Sequence, residues 1–179
     1  MFTDYNAIEM LKHFSESFPS IQKFIIHFAY LLGVFAAGYG VHGFMTSGRM
    51  LSSNPERKHT YTWSVIIGSV LMSITTAVST FYGTLFASND PAQVLSFVES
   101  DDPHDITVKV ATAWVIMIGW IANIYGLWLI KTPGPSGYSN VQRGIVHIIG
   151  GTMAIGITKL ARIIGSSLGI LPLIDKILK

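Results

Sequence analysis

"GIVHIIGGTMAIGITKLARIIG", Gly144 to Gly165, decides the fold. From Gly144 to Thr158 it carries no Asp, Glu, Lys or Arg; Lys159 and Arg162 follow. A helix that crosses a bilayer needs about 20 mostly apolar residues. This stretch fits such a helix, with one peculiarity. Gly144, His147, Gly151, Ala154, Thr158, Ala161 and Gly165 recur at alternating spacings of three and four, which keeps them on one face toward a partner helix. Apart from His147, that face is made of small residues.

The rest of the chain reads the same way. Of its 179 residues 50% are hydrophobic and only 12% charged, about half the charge of an ordinary soluble domain. The mean hydropathy is +0.48. These values point to lipid as the main solvent. A net charge of +2 is too small to suggest nucleic-acid binding. With no cysteine, disulfides, thiolate metal sites, iron–sulfur clusters and a cysteine nucleophile are excluded.

Four spans are expected, at about 23–45, 61–86, 108–130 and 144–165, arranged as two hairpins in an all-α polytopic membrane protein. Residues 1–19 form a separate amphipathic helix at the membrane surface. There Phe2, Tyr5, Ile8, Leu11, Phe14 and Phe18 recur at helical spacing, with Asp4, Glu9 and Glu16 between them. Those acids argue against a cleavable signal. Residues 20–179 form the transmembrane domain. Loops 46–60 and 131–143 are basic, whereas loop 87–107 holds five acids and no Lys or Arg. The positive-inside rule then places the basic loops in the cytoplasm and the acidic loop outside. The basic tail after Thr158 fits that rule poorly. It either prolongs the fourth helix or folds along the membrane surface.

Small residues stripe every span. The first has Ala29, Gly33, Ala36, Gly40, Gly43 and Ser47. The second has Ser69, Ser73, Thr76, Thr80, Gly83 and Ala87. The third has Thr112, Val115, Gly119, Ala122 and Gly126. Helices in lipid associate through close backbone approach and interhelical hydrogen bonds, because lipid supplies no hydrophobic drive. The stripes therefore serve packing within the chain, against other chains, or both. An internal repeat accompanies them. Gly33, Ala36, Tyr39 and Gly40 match Gly119, Ala122, Tyr125 and Gly126 at an offset of 86, and "VIIGS" at Val65 matches "HIIGG" at His147 at 82.

The polar residues in the spans suggest structure before chemistry. His147, like His27 and His42, hydrogen-bonds across to a neighbour or relays protons. Asn123 suits interhelical bonding, and the hydroxyls of the second span bond back to their own backbone or line a polar path. No acid lies inside a span, which argues against an ion-coupled pump. No metal-ligand cluster, catalytic constellation or cofactor motif is present. Lys159 and Arg162, three apart on one face, either snorkel to lipid phosphates where the helix leaves the hydrocarbon or dock on an acidic partner surface.

The segment from Gly119 to Ile157 contains "GLWLIK", the turn "TPGPSG" and "RGIVHIIGGTMAIGI". It resembles the IcmC/DotE, DotV and TraQ group, small inner-membrane proteins of type IVB (Dot/Icm) secretion and conjugation systems. Gly144, His147, Ile148, Gly150, Gly151 and Ala154 carry the likeness. Gly156 departs from it, since members often have a polar residue there. The resemblance implies a non-enzymatic structural subunit with no cofactor in a bacterial inner membrane. Its partners would be membrane lipids and other membrane subunits, among them a large polytopic one, with multiple copies per assembly possible and no direct nucleic-acid contact. The alternative from the residues is a small homo-oligomeric channel or carrier.

Overall fold

A computed structural model of the chain describes residues 16–47, 55–87, 103–131 and 138–171, with Met10 and His13 before them. Of the expected surface helix at 1–19 only Met10, His13 and residues 16–19 are described, and residues 48–54, 88–102 and 132–137 of the three connecting loops lie outside the described residues. Among the described residues all regular structure is helical: α1 (Phe18–Ser47), α2 (Pro55–Met72), α3 (Ile74–Phe86), α4 (Pro103–Lys131), α5 (Tyr138–Ile155) and α6 (Ile157–Ser167). Two helices, Phe18–Thr46 and Thr107–Lys131, are long and apolar enough to cross a membrane. Up to four crossings result if each bent pair, α2–α3 and α5–α6, counts as one.

Those bends correct the expectation of continuous helices over 61–86 and 144–165. α3 turns away from α2 by 84°, and α6 turns away from α5 by 78°. The breaks fall at Ser73 (φ −108°, ψ 35°) and Gly156 (φ −90°, ψ 21°), both far from the helical ψ of about −42°. Ser and Gly are the usual kink residues besides proline. At the first break the Ser73 hydroxyl donates to the Ser69 carbonyl at 3.1 Å, serving a carbonyl that the distorted turn weakens. At the second, a Cβ on Gly156 would run into the far end of the Phe86 ring, so a side chain fits there only if that ring moves.

Each long helix pairs with a shorter one to make an antiparallel hairpin, α1 with α2 and α4 with α5. At 1.5 Å per residue, α1 and α4 are about 45 Å and 43 Å long, and α2 and α5 about 27 Å each. Gly33 of α1 lies level with Met72, and Gly119 of α4 lies level with Ile155. The N-terminal halves of the long helices therefore overhang the breaks, and there they pack on each other. Phe18 is fully buried among Val110, Ala113 and Met117 and meets the Trp114 ring edge-on at 5.9 Å. The main core joins the hairpins. Ile67, Leu71, Ile74, Val78 and Tyr82 of α2 and α3 lie in one cluster with Ile116, Trp120, Ile124 and Leu127 of α4.

The repeat is sharper in three dimensions than in the sequence. Gly33 faces Gly68 as Gly119 faces Gly151, and Gly40 faces Tyr61 as Gly126 faces Gly144. The offset is 86 on the long helices and 83 on the short ones. The value of 82 for the second is thereby corrected. α2 and α5 are both 18 residues long and start, end and break at positions 83 apart. Between the facing positions the first turn is three residues longer than the second, 40 to 61 against 126 to 144.

Candidate helix-packing interface

The small residues set the distance between helices. A Cβ placed on Gly33 would lie 2.7 Å from the Gly68 carbonyl oxygen and 2.7 Å from the Met72 nitrogen. One on Gly68 would lie 2.5 Å from the Ala37 nitrogen. Real side chains do not survive such distances from backbone atoms, so glycine is required on both sides of the crossing. Ala36 is buried beside it. Further along, a Cβ on Gly40 would meet the Tyr61 carbonyl oxygen at 2.7 Å, and one on Gly43 would overlap the Tyr61 ring.

The second hairpin repeats this. Gly119 and Gly151 approach through each other's carbonyl oxygens, 2.6 Å and 2.7 Å from the added Cβ positions, and Gly126 and Gly144 do so at 2.7 Å and 2.6 Å. Ala122 and Ala154 are half-buried on the same edge. Gly150 points away, with nothing within 4 Å of a Cβ placed there. Thr158 lies beyond the bend, half-buried in α6.

The expected stripe of the second span faces outward. Ser69, Ser73, Thr76 and Thr80 are exposed, and the packed edge is the one bearing Ser64, Gly68 and Leu71. Hydroxyl spacing misled here because these hydroxyls need no neighbouring helix. Ser69 donates to the Val65 carbonyl at 2.9 Å, Thr80 to the Thr76 carbonyl at 2.9 Å and Thr84 to the Thr80 carbonyl at 2.9 Å. Gly68 is the packing residue this reading missed. An offset of 83 instead of 82 aligns it with Gly151.

Two polar residues are fully buried where α4 crosses α5. Asn123 donates its amide to the Gly119 carbonyl at 3.0 Å. The Thr152 hydroxyl lies 2.8 Å from the Ile148 carbonyl and 3.3 Å from Asn123 Oδ1, and shares its proton between them. That second contact links the helices, so Asn123 does bond across, and Thr152 is its partner. His147 differs from its expected cross-helix bond. Its Nδ1 pairs at 2.7 Å with the Arg143 carbonyl of its own helix, and its ring meets Tyr125 edge-on at 5.2 Å. His27 likewise pairs with the Lys23 carbonyl of its own helix at 2.6 Å.

The charged residues fall at the two ends. At the basic-loop end, Lys131 lies over the Trp128 ring at 4.0 Å and near the Tyr39 ring at 5.7 Å. Tyr39 and Phe44 in turn pack on Tyr61. Such aromatic and cationic groups suit a headgroup layer. At the other end Lys159 is half-buried with its ammonium 5.0 Å from the Tyr82 ring, whereas Arg162 is exposed on α6. Because α6 turns at Gly156, both charges lie beside the bend and not further along a straight span. Among the described residues no three His, Asp or Glu side chains cluster as metal ligands.

Comparison with known proteins finds no matching family model, no matching curated protein and no matching solved structure.

Proposed function

We propose that this chain is a non-enzymatic, multi-pass subunit of a bacterial inner membrane that works by helix packing within a type IVB secretion or conjugative transfer apparatus. One observation supports this reading above others. The segment that resembles the IcmC/DotE, DotV and TraQ group, Gly119 to Ile157, is also the hairpin whose glycine crossing carries a buried hydrogen bond between its two helices. Its glycines 119, 126, 144 and 151 serve backbone contact, and Asn123 and Thr152 serve one another. The hydroxyls of Ser69, Ser73, Thr80 and Thr84 along α2 and α3 are engaged with carbonyls of their own chain segment, which favours a packing subunit over a channel or carrier.

On this reading the basic loops 46–60 and 131–143 face the cytoplasm, loop 87–107 faces the periplasm, and other membrane subunits, including a large polytopic one, cover part of the surface. The test is purification of the tagged chain in mild detergent from the native host. Co-purification of further membrane subunits, with loss of export or transfer in a deletion strain, is expected. Recovery of the chain alone, or solute flux from the pure chain in liposomes, overturns the assignment.

A further inference from the structure

The contact between the two hairpins uses two different faces. The main core joins Ile67, Leu71, Ile74, Val78 and Tyr82 of hairpin one to Ile116, Trp120, Ile124 and Leu127 of α4, and at its α2 end Trp63 and Val70 lie partly buried beside Ile67. At this α2 end the contact does not close on itself, because there each hairpin keeps its own copy of the face the other used. The repeat offsets locate both unused copies. On α1 they are Tyr30, Val34, Gly38 and Val41. On α5 they are Val146, Gly150 and Met153.

Burial divides sharply between the copies. Ile116, Trp120 and Leu127 are 1%, 4% and 4% exposed, and their equivalents Tyr30, Val34 and Val41 are 50%, 43% and 48% exposed. Ile67 is 4% exposed, and its equivalent Gly150 is open to solvent or lipid. Lipid alone does not account for the residues found there. Ile124 and Ile67 are replaced by Gly38 and Gly150, and neither glycine has an atom within 4 Å of an added Cβ. Glycine inside a helix costs about 1 kcal/mol against alanine. It is repaid where a second helix comes close, as it does at Gly33 and Gly119.

We propose that a second copy of this chain occupies these faces: the outer face of α1 in one copy lies against the outer face of α5 in the next, repeating the internal hairpin contact head to tail. The arrangement forms a ring where the rotation closes and an arc where it does not. It requires only that the chain be embedded in a membrane, and it stands or falls separately from the secretion assignment.

The absence of native cysteine makes the test direct. Val34→Cys and Gly150→Cys are placed in separately tagged chains, co-expressed, and oxidised in intact membranes. Both positions are exposed, and each variant's monomer is checked for unchanged unfolding in detergent. Gly38→Cys with Met153→Cys is the second pair. A mixed-tag disulfide dimer is expected, several-fold above that from Gly150→Cys with Ile118→Cys, a pair using an exposed α4 position off the proposed face. Mixed dimer no more abundant than this control overturns the proposal. So does self-pairing of Val34→Cys in preference to the mixed pair, which would mean a two-fold contact through α1 alone.

Discussion

Position 37 in α1 and position 123 in α4 occupy the same place in the two hairpins, opposite Gly68 and Gly151, yet one is alanine and the other asparagine. The short helices differ in step. Thr152, buried and bonded to Asn123, has Ser69 as its counterpart, exposed and bonded to its own helix. Both hairpins have the same glycine crossing, so backbone approach is enough to define the fold. The second adds a dry hydrogen bond across it, from Thr152 to Asn123. The outer faces diverge as well. α4 is covered by hairpin one, and its counterpart α1 is open. The shared features thus mark what builds a hairpin, and the differences mark which hairpin is interior.

The largest effect should come from filling one glycine that packs and one that does not. Gly68→Leu puts a branched side chain where the Ala37 backbone already lies. Overpacking of this kind costs about 1–3 kcal/mol, and more where backbone must move. Gly150→Leu meets no atom and should leave the monomer unchanged or up to about 1 kcal/mol more stable. Unfolding in mixed detergent–SDS micelles reads both. Equal losses at the two positions would break the distinction between inner and outer faces.

The next effect is the polar lock. Asn123→Ala gives hairpin two the residue that hairpin one has at Ala37. It removes the bond to Thr152 and should cost about 0.6–1.7 kcal/mol, the range for hydrogen bonds between membrane helices. Thr152→Val should lose nearly the same amount, and the double variant little more, because both remove one interaction. Additive losses would mean that the 3.3 Å contact carries no coupling.

Much of this plan is legible in the sequence, and the misses have physical causes. Gly33, Gly40, Gly119, Gly126, Gly144 and Gly151 stand out because small residues at helical spacing have one common use in lipid. Asn123 stands out because a buried amide in an apolar run requires a partner. The packed face of the second span is obscured by Ser69, Ser73 and Thr80, whose size suits packing and whose hydroxyls are satisfied locally. The break at Ser73 leaves no mark in composition, since apolar residues continue on both sides, and that at Gly156 is announced only by the charges that follow at Lys159 and Arg162. Only the tertiary contact at Phe86 and the backbone angles locate them.

The bends offer a smaller contrast. Gly156→Ala pushes the far end of the Phe86 ring, which can swing aside, so a loss of about 1 kcal/mol is expected. Ser73→Ala removes a hydroxyl bond to an exposed carbonyl and should cost no more than about 0.5 kcal/mol. The same micelle unfolding measures both. A larger loss at Ser73 would mean that the hydroxyl, not the surrounding packing, holds the first bend.

The smallest effect concerns charges that hairpin two has and hairpin one lacks. At the repeat offset, Lys159 and Arg162 of α6 stand where α3 carries Thr76 and Ser79. Lys159→Thr removes an ammonium lying over the Tyr82 ring and should cost about 0.5–1 kcal/mol, the scale of a partly exposed cation–π contact. Arg162→Ser alters an exposed residue and should leave unfolding unchanged within about 0.5 kcal/mol. If Arg162 docks on an acidic surface, the same substitution lowers co-purification of other subunits without changing stability. If it meets lipid phosphate, it weakens binding to anionic vesicles and leaves co-purification intact. The two measurements together separate a charge that stabilises the chain from one that faces outward, the same division between inner and outer faces that the glycines draw.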